Sequence, residues 1–355
     1  MAQLKGRRKV LMKQIPVFWK TTLNDIEDAV NKVQKGKAVS LKVSAGGRPI
    51  YLIHYGKKNV FHRTANLSSA LGAKARRCYA DKEQEGYAPT VFLAGCIHGG
   101  EFEGTAGILN LMQILETGKD YAGKEYPEIL ELSKKVNILL VPCANPDGRS
   151  RIAFPTMVGR SFEELRYYNQ GTWKDGSLCG YPACKMYHPI KEYADLLGAY
   201  FNDNGVNMMH DDFFGHKANE TQNMFDIVDE YVPDFTVLLH GGTNCTNLML
   251  KPAYAPEQVK GFVLGVEERI KARCEESGIA YKIVPGDCGE NRVSPTSFNL
   301  PSALYHMSGE PCVTFESNQG LTEDPYNMSA LTHEEIYESH MILFEEVLRS
   351  VIRKG

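Results

Sequence analysis

The sequence predicts an α/β fold: a central mixed, largely parallel β-sheet flanked by helices. Three observations lead there. VNILLVPC (136–143) and DFTVLL (234–239) are unbroken apolar runs, the pattern of strands buried on both faces. Stretches such as 103–115 repeat apolar residues at helical spacing. Strand-like runs alternate with helical ones along the chain, and such alternation assembles parallel sheets.

Taken in order, the chain opens on MAQLKGRRKVLMKQ, a basic stretch without a long apolar core or a small-residue cleavage site, so it does not read as a secretory signal. Residues 1–20 are expected to form a solvated terminal segment. Pro49–Tyr55, after a Gly-Gly-Arg turn, reads as a strand, and Pro89–Cys96 as another. Glu103–Leu115 is helical by period, which puts His98 and Glu101 at a strand-to-helix transition. Val136–Cys143 follows as a central strand, then the turn formers Asn145-Pro146-Asp147-Gly148. Residues 149–200 are rich in Gly, Tyr, Arg and Pro with little periodicity. They read as a long loop excursion near the site, either a lid, a binding wall or an oligomer contact. Asp234–Leu239 and Pro311–Phe315 complete the strands. Gln258–Ser277 and Glu334–Ile352 are helices, the last opened by a Thr332/Glu335 capping box. The whole chain, 1–355, is expected to be one catalytic domain.

The bulk properties narrow the function. The chain has 355 residues, 43% of them hydrophobic, and a net charge of -3. No long-range field favours nucleic acid or an anionic membrane, and no apolar run nears the ~20 residues of a membrane helix. The nine cysteines are scattered and contain no CxxC pair, which argues against a four-thiolate zinc site and for reduced thiols in a cytoplasm. Oligomeric state is not encoded in any of these features.

Three polar residues follow core-strand runs: His98, His240 and Glu316. Ligands of parallel sheets gather at such strand ends. Catalytic zinc takes three protein ligands, imidazoles with a carboxylate, and leaves one position open. His98 and Glu101 supply two and His240 the third, so one zinc ion is expected. Gly99 and Gly100 let the backbone bend between the first two. Glu316, at the end of a buried strand, is costly unless it has a partner or a role. It is either an ion-pair partner or a general base.

HGGE (98–101), NPDGR (145–149), LLHGG (238–242) and VTFESNQG (313–320), in that order, resemble the zinc carboxypeptidase family of the funnelin, carboxypeptidase A-like type. SAGGRPIYLIHYG (44–56) resembles the family's opening hairpin. The resemblance spans roughly residues 45–350. It implies His98, Glu101 and His240 as metal ligands, Glu316 as general base, and Asn145 in a turn that shapes the substrate site. It also implies an arginine that polarises the scissile carbonyl, for which Arg166 and Arg160 are both candidates.

The sequence departs from the family where substrate is held. In GVNMMHDDFF (205–214), Met209 and His210 stand where the family has an Asn-Arg clamp for a terminal carboxylate, and Asp211 and Asp212 add negative charge. A bidentate clamp cannot be built from these groups. The family's mobile tyrosine falls at Ser294, and Tyr305 matches a different tyrosine, as a pocket wall. His210, Asp212, Tyr305 and Arg292 are thus candidate substrate contacts, Arg292 as a replacement cation. The implied activity is zinc-dependent hydrolysis of an amide in an atypical peptide: cell-wall, γ-linked or D-amino-acid. Two alternatives stand beside it: an acyl amino acid deacylase of the succinylglutamate desuccinylase or aspartoacylase type, and a non-catalytic binding protein that keeps the zinc.

Overall fold

The structure is a computed structural model that describes residues 14–249, 252–281 and 298–354. In chain order its main elements are α1 (Leu23–Asn31), β1 (Lys37–Ser40), β2 (Tyr51–Tyr55), α2 (Leu67–Gly72), β3 (Thr90–Ala94), α3 (Glu103–Thr117), α4 (Pro127–Ser133), β4 (Asn137–Val141), α5 (Pro146–Ser150) and α6 (Phe162–Leu165). There follow β5 (Gly171–Trp173), β6 (Ala194–Leu197), α7 (Asn219–Tyr231), β7 (Phe235–Gly241), β8 (Asn247–Met249), α8 (Glu257–Glu276), α9 (Leu300–Ser308), β9 (Cys312–Ser317) and α10 (His333–Lys354). Seven strands form one sheet in the order β1-β2-β4-β3-β7-β9-β8, and β5 and β6 form a separate hairpin.

The four inner strands, β4, β3, β7 and β9, run parallel. They are the apolar runs read from the sequence, and every residue of β3 and β4 is buried. Alternate side chains feed two cores. Val91, Leu93, Ile138, Leu140, Val237 and Phe315 face α3, α8 and α10, whereas Phe92, Leu139, Val141 and Leu238 face α7, α9 and the turn Met208–His210. Apolar covering on both faces is what a parallel sheet requires. β1, β2 and β8 are antiparallel additions at the edges.

Register decides where the site lies. Ala94 pairs with both Val141 and Leu238, and His240 pairs with Glu316. The carboxyl ends of the inner strands therefore meet at one edge. The opposite edge is closed by charge: Asp234 accepts from Lys82 Nζ at 2.9 Å, Tyr87 OH at 2.5 Å and Thr90 N at 2.7 Å. Lys82 and Arg76 both reach Glu310, at 2.9 and 2.7 Å.

Several expectations need adjusting. β7 and β9 run one to two residues further than the apolar runs suggested, so His240 and Glu316 lie inside strand ends. The 149–200 excursion is structured, carrying α6, a π-helical segment Arg166–Gln170 and the β5–β6 hairpin. The amino-terminal segment is not solvated throughout. Phe18 and Trp19 are buried in the main core, Trp19 Nε1 donates to Pro155 O at 3.0 Å and Asn110 Nδ2 to Phe18 O at 2.8 Å. The aromatic pair supplies the apolar area that the preceding basic run lacks. The Thr332/Glu335 capping box is present, with reciprocal bonds of 2.8 and 3.2 Å. Among the described residues, no helix is long and apolar enough to cross a membrane.

His340 on α10 is fully buried under Phe315 and the α3 backbone at Gly107. Burial pushes its pKa from 6.5 down to about 4. The folded state keeps this ring neutral while the unfolded chain takes up a proton below pH 6.5, so stability falls with pH between about 6.5 and 4. This group alone accounts for about 2 kcal/mol between pH 7.5 and 5. Urea unfolding at the two pH values should show His340→Leu losing less stability on acidification than wild type; an equal loss would remove His340 from the account.

Candidate metal centre

His98 leaves the end of β3, Glu101 stands two residues before α3, and His240 sits at the end of β7. All three are buried, at 3%, 3% and 2% exposure. Glu101 Oε1 lies 2.8 Å from His98 Nδ1 and its Oε2 lies 2.8 Å from His240 Nδ1. One ligand atom from each residue falls within 4.8 Å of the others.

The hydrogen-bond directions test whether a metal fits. Asn207 Oδ1 accepts from Met209 N at 2.9 Å and lies 3.2 Å from His98 Nε2. The first bond fixes that atom as the amide oxygen, so His98 Nε2 carries the hydrogen. Nδ1 then faces a carboxylate oxygen, an arrangement that needs a proton or a metal ion shared by the two groups. Burial pushes the His98 pKa down, which disfavours a proton in that place. Two imidazoles and a carboxylate form the donor set of catalytic zinc, and the residues present fit that ion. Burial would raise the Glu101 carboxyl, but the His98 and His240 rings outweigh it and hold the group ionised at about 2. His240 shows the reciprocal effect: burial lowers it, Glu101 outweighs burial, and the net direction is up.

The loop bearing His98 is held by contacts that explain why its motifs travel together. Gly99 N donates to Ala199 O at 2.7 Å, and a Cβ at Gly99 would stand 2.1 Å from Gly148 C. Gly99 is thus required for close approach to the NPDG turn rather than for a special bend. Asn145 is fully buried; its Oδ1 caps α5 at Gly148 N, 2.9 Å away, and its Nδ2 reaches Ala199 O. Through these bonds it ties the NPDG turn to the chain at Ala199. Asp147, also fully buried, accepts from Ser44 Oγ, Gly46 N, Arg48 Nη1 and Asp203 N at 2.5–3.0 Å. The SAGGR hairpin is docked on NPDG through this one carboxylate.

Sequence reading missed three neighbours. Asn207 orients His98. Asn169 Oδ1 accepts from Gly100 N at 3.2 Å while its Nδ2 approaches Glu101 Oε1 at 3.5 Å. Tyr200 stacks on His98 with ring centroids 3.4 Å apart. Asn169 lies in the π-helical segment Arg166–Gln170 and the other two in irregular chain, and no residue pattern marks any of them.

Glu316 is His240's register partner on the adjacent strand, so both side chains leave the same face of the sheet. Its charge is felt at both His240 and Tyr200.

The other candidates are placed differently. Arg160 pairs with Glu164 at 2.7 Å and lies 3.4 Å over the Phe154 ring. Arg166 donates to the Cys179 and Leu178 carbonyls at 3.3 and 3.4 Å. Both brace the excursion, and neither hydrogen-bonds a triad residue among the described residues. Tyr305 is buried on α9, and the charges that act on it are Arg76 and Glu310, at the edge of the sheet away from Glu316. It packs in the apolar cluster with Leu300, Ala303 and Leu304. Asp212 is exposed and accepts from Phe214 N at 3.3 Å within its own turn. Arg292, with Asn291 and Ser294, lies outside the described residues.

The sequence profile of the family described as zinc carboxypeptidase matches residues 24–259, well over half of the chain. The chain belongs to the zinc carboxypeptidase family. It is accordingly a hydrolase whose family uses one zinc ion, and His98, Glu101 and His240 form a cluster that can hold it. A search of curated protein sequences finds no match. Solved structures share the fold. A metallo-carboxypeptidase from Burkholderia cenocepacia is 14% identical with a TM-score of 0.57, covering 92% of this chain and 68% of its own. A Pseudomonas aeruginosa metallo-carboxypeptidase, solved with (2-guanidinoethylmercapto)succinic acid, is 14% identical with a TM-score of 0.54, covering 93% and 68%. Bovine thrombin-activatable fibrinolysis inhibitor, in complex with tick carboxypeptidase inhibitor, is 11% identical with a TM-score of 0.54, covering 95% and 99%.

Asn207→Ala should weaken zinc affinity by about 10- to 100-fold, the usual cost of losing the partner that orients a ligating histidine. Asn207→Asp, which keeps an acceptor there, should not. Competition with a chelator of known affinity reads both, and equal affinities for Ala and wild type would remove Asn207 from the metal centre.

Proposed function

We propose that this zinc carboxypeptidase-family chain hydrolyses an amide bond in an atypical peptide, cell-wall, γ-linked or containing D-amino acids, with Glu316 as general base. The observation that carries the reading is a single one: Glu101 spans two imidazole nitrogens at 2.8 Å each while Glu316 stands on the neighbouring strand in register with His240. Zinc, when bound, supplies Lewis acidity and lowers the pKa of water toward ~7. Around it, His98, Glu101 and His240 fix the ion's position, with Asn207 and Asn169 fixing theirs. Tyr200 covers the outer face of His98 and keeps solvent off that ring. Glu316 accepts the proton of the attacking water on a carboxylate oxygen and returns it to the departing nitrogen.

The pocket chemistry supports an unusual substrate. Met209 is buried in the apolar core beneath α7 and α9. Burial first, then the nearby Lys185 charge and the His98 and His188 rings, hold His210 at about 3, so it is neutral near pH 7. The 209–210 pair therefore offers no cation to a terminal carboxylate. The same feature favours the second reading, a deacylase acting on acyl amino acids. Product analysis separates the two: the first releases an amino acid from a peptide, the second an organic acid.

Glu316→Gln should retain zinc and lose about 10²–10⁴ in kcat, measured on a panel of L-, D- and γ-linked dipeptides and N-acyl amino acids. Normal turnover by this variant would sink the general-base assignment. Bound zinc with no turnover of any amide by the wild type would leave a binding protein instead.

A further inference from the structure

His240 is followed by two glycines, and each lies against a side chain from the end of β9. Gly241 pairs in register with Ser317, and Gly242 N donates to Ser317 O at 3.0 Å. A Cβ at Gly241 would stand 2.7 Å from Gln319 Nε2. Gln319 is fully buried, accepts from Thr243 N at 3.2 Å and reaches Gly100 O in the ligand loop at 3.5 Å. A Cβ at Gly242 would stand 2.7 Å from Glu316 Oε2 and 3.1 Å from Glu316 Cβ. The bare face of Gly242 is thus the surface against which the Glu316 carboxylate rests. Cys245 closes the same face, since its Sγ would stand 2.7 Å from that Cβ.

Gly242 itself is pinned on both sides. Its N–H is committed to Ser317, and its carbonyl accepts from Cys245 N at 3.1 Å and Cys245 Sγ at 2.6 Å. Ser317 Oγ in turn donates to His240 O at 3.1 Å. The backbone does not adopt the left-handed conformation that would by itself exclude a side chain. An added methyl is therefore opposed by the atoms facing it, not by the chain. Contacts of 2.7 Å lie well inside the ~3.5–4.0 Å at which non-bonded carbons settle, so something must give. Cys245 is buried, whereas Glu316 is half-buried and flexible at its end. The carboxylate is the group that moves.

We propose that Gly242 is a positioning residue for the general base: the face it leaves bare seats the Glu316 carboxylate beside His240. The proposal rests on the assignment of Glu316 as base and deepens it. A base must lie within hydrogen-bond reach of the proton it takes, and a misplacement of about 1 Å can cost ~10²-fold in rate. Gly242 acts by what it lacks.

Gly242→Ala, as zinc-loaded full-length protein, should lose about 10- to 100-fold in kcat on the best amide of the panel above, with KM and zinc content unchanged. Combined with Glu316→Gln it should cost nothing further, because a residue that acts through another has no effect once that partner is gone. A crystal structure of Gly242→Ala should show the carboxylate displaced by about 1 Å or more, with His98, Glu101 and His240 in place. Loss of zinc, an equal fall in rate in the Glu316→Gln background, or an unmoved carboxylate would each overturn the proposal. Should Gly242→Ala not fold, Gly242→Ala/Cys245→Ala takes its place: the sulfur is gone, the methyl still meets Oε2, and the same readouts apply. Normal turnover by Glu316→Gln with a displaced carboxylate in Gly242→Ala would sink the base assignment and leave the seat standing. Lost turnover in Glu316→Gln with full turnover in Gly242→Ala would do the reverse. If no amide is cleaved, the position of the carboxylate decides alone.

Discussion

Everything at the centre depends on one shared carboxylate. Glu101 is buried, yet it stays ionised because each oxygen faces an imidazole nitrogen from a different part of the chain. A carboxylate in such a place is tolerated only with partners that offset its lost hydration. The two histidines do so, but with the His98 Nε2 hydrogen directed at Asn207, His98 Nδ1 faces a charged oxygen. The protein has arranged a position for a proton or a metal ion shared by the two groups. The sheet makes this geometry available, since β3 and β7 are parallel neighbours in register whose carboxyl ends open at the same edge.

Around that centre the loops are stacked rather than strung. The β3–α3 loop lies flat on NPDG because Gly99 and Gly148 carry no side chain. NPDG lies on the opening hairpin through Asp147, and Ala199 bonds back to Gly99. Asn145 is fully buried among these layers, bonded to Gly148 and Ala199. This is why motifs far apart in the chain occur together: each is the surface against which the next is packed. A change in one layer would be felt at the metal through displaced backbone.

What the sequence reveals follows from this physics. The inner strands were legible because burial on both faces demands unbroken apolar runs, and the metal ligands because they sit directly after such runs. Strand β1 was not, since its residues are exposed or half-buried at the sheet's margin. Phe18 and Trp19 were hidden by the basic stretch before them. The residues that orient the ligands, Asn169 in a short π-helical segment and Tyr200 and Asn207 in irregular chain, act through hydrogen bonds and stacking. Their effect depends on three-dimensional placement that no spacing rule encodes. The candidate arginines show the converse. Arg160 and Arg166 were both candidates from the sequence, and their guanidiniums brace the 149–200 excursion.

The 149–200 excursion supplies Asn169 and Tyr200 to the metal centre. The scaffold fixes Glu101 and two histidines at one edge of the sheet, with Glu316 in register beside His240; in the proposed mechanism these groups act on the reacting amide whatever is attached to it. Selection must come from groups that touch the remainder of the substrate. The two positions that match the family's carboxylate clamp hold a buried methionine and a neutral histidine, and neither supplies a positive charge. The loop anchored by buried Cys184 packs against Tyr200, and Tyr200 stacks on the ligand His98, so a change in that small apolar cluster is passed to the metal centre through a single ring contact.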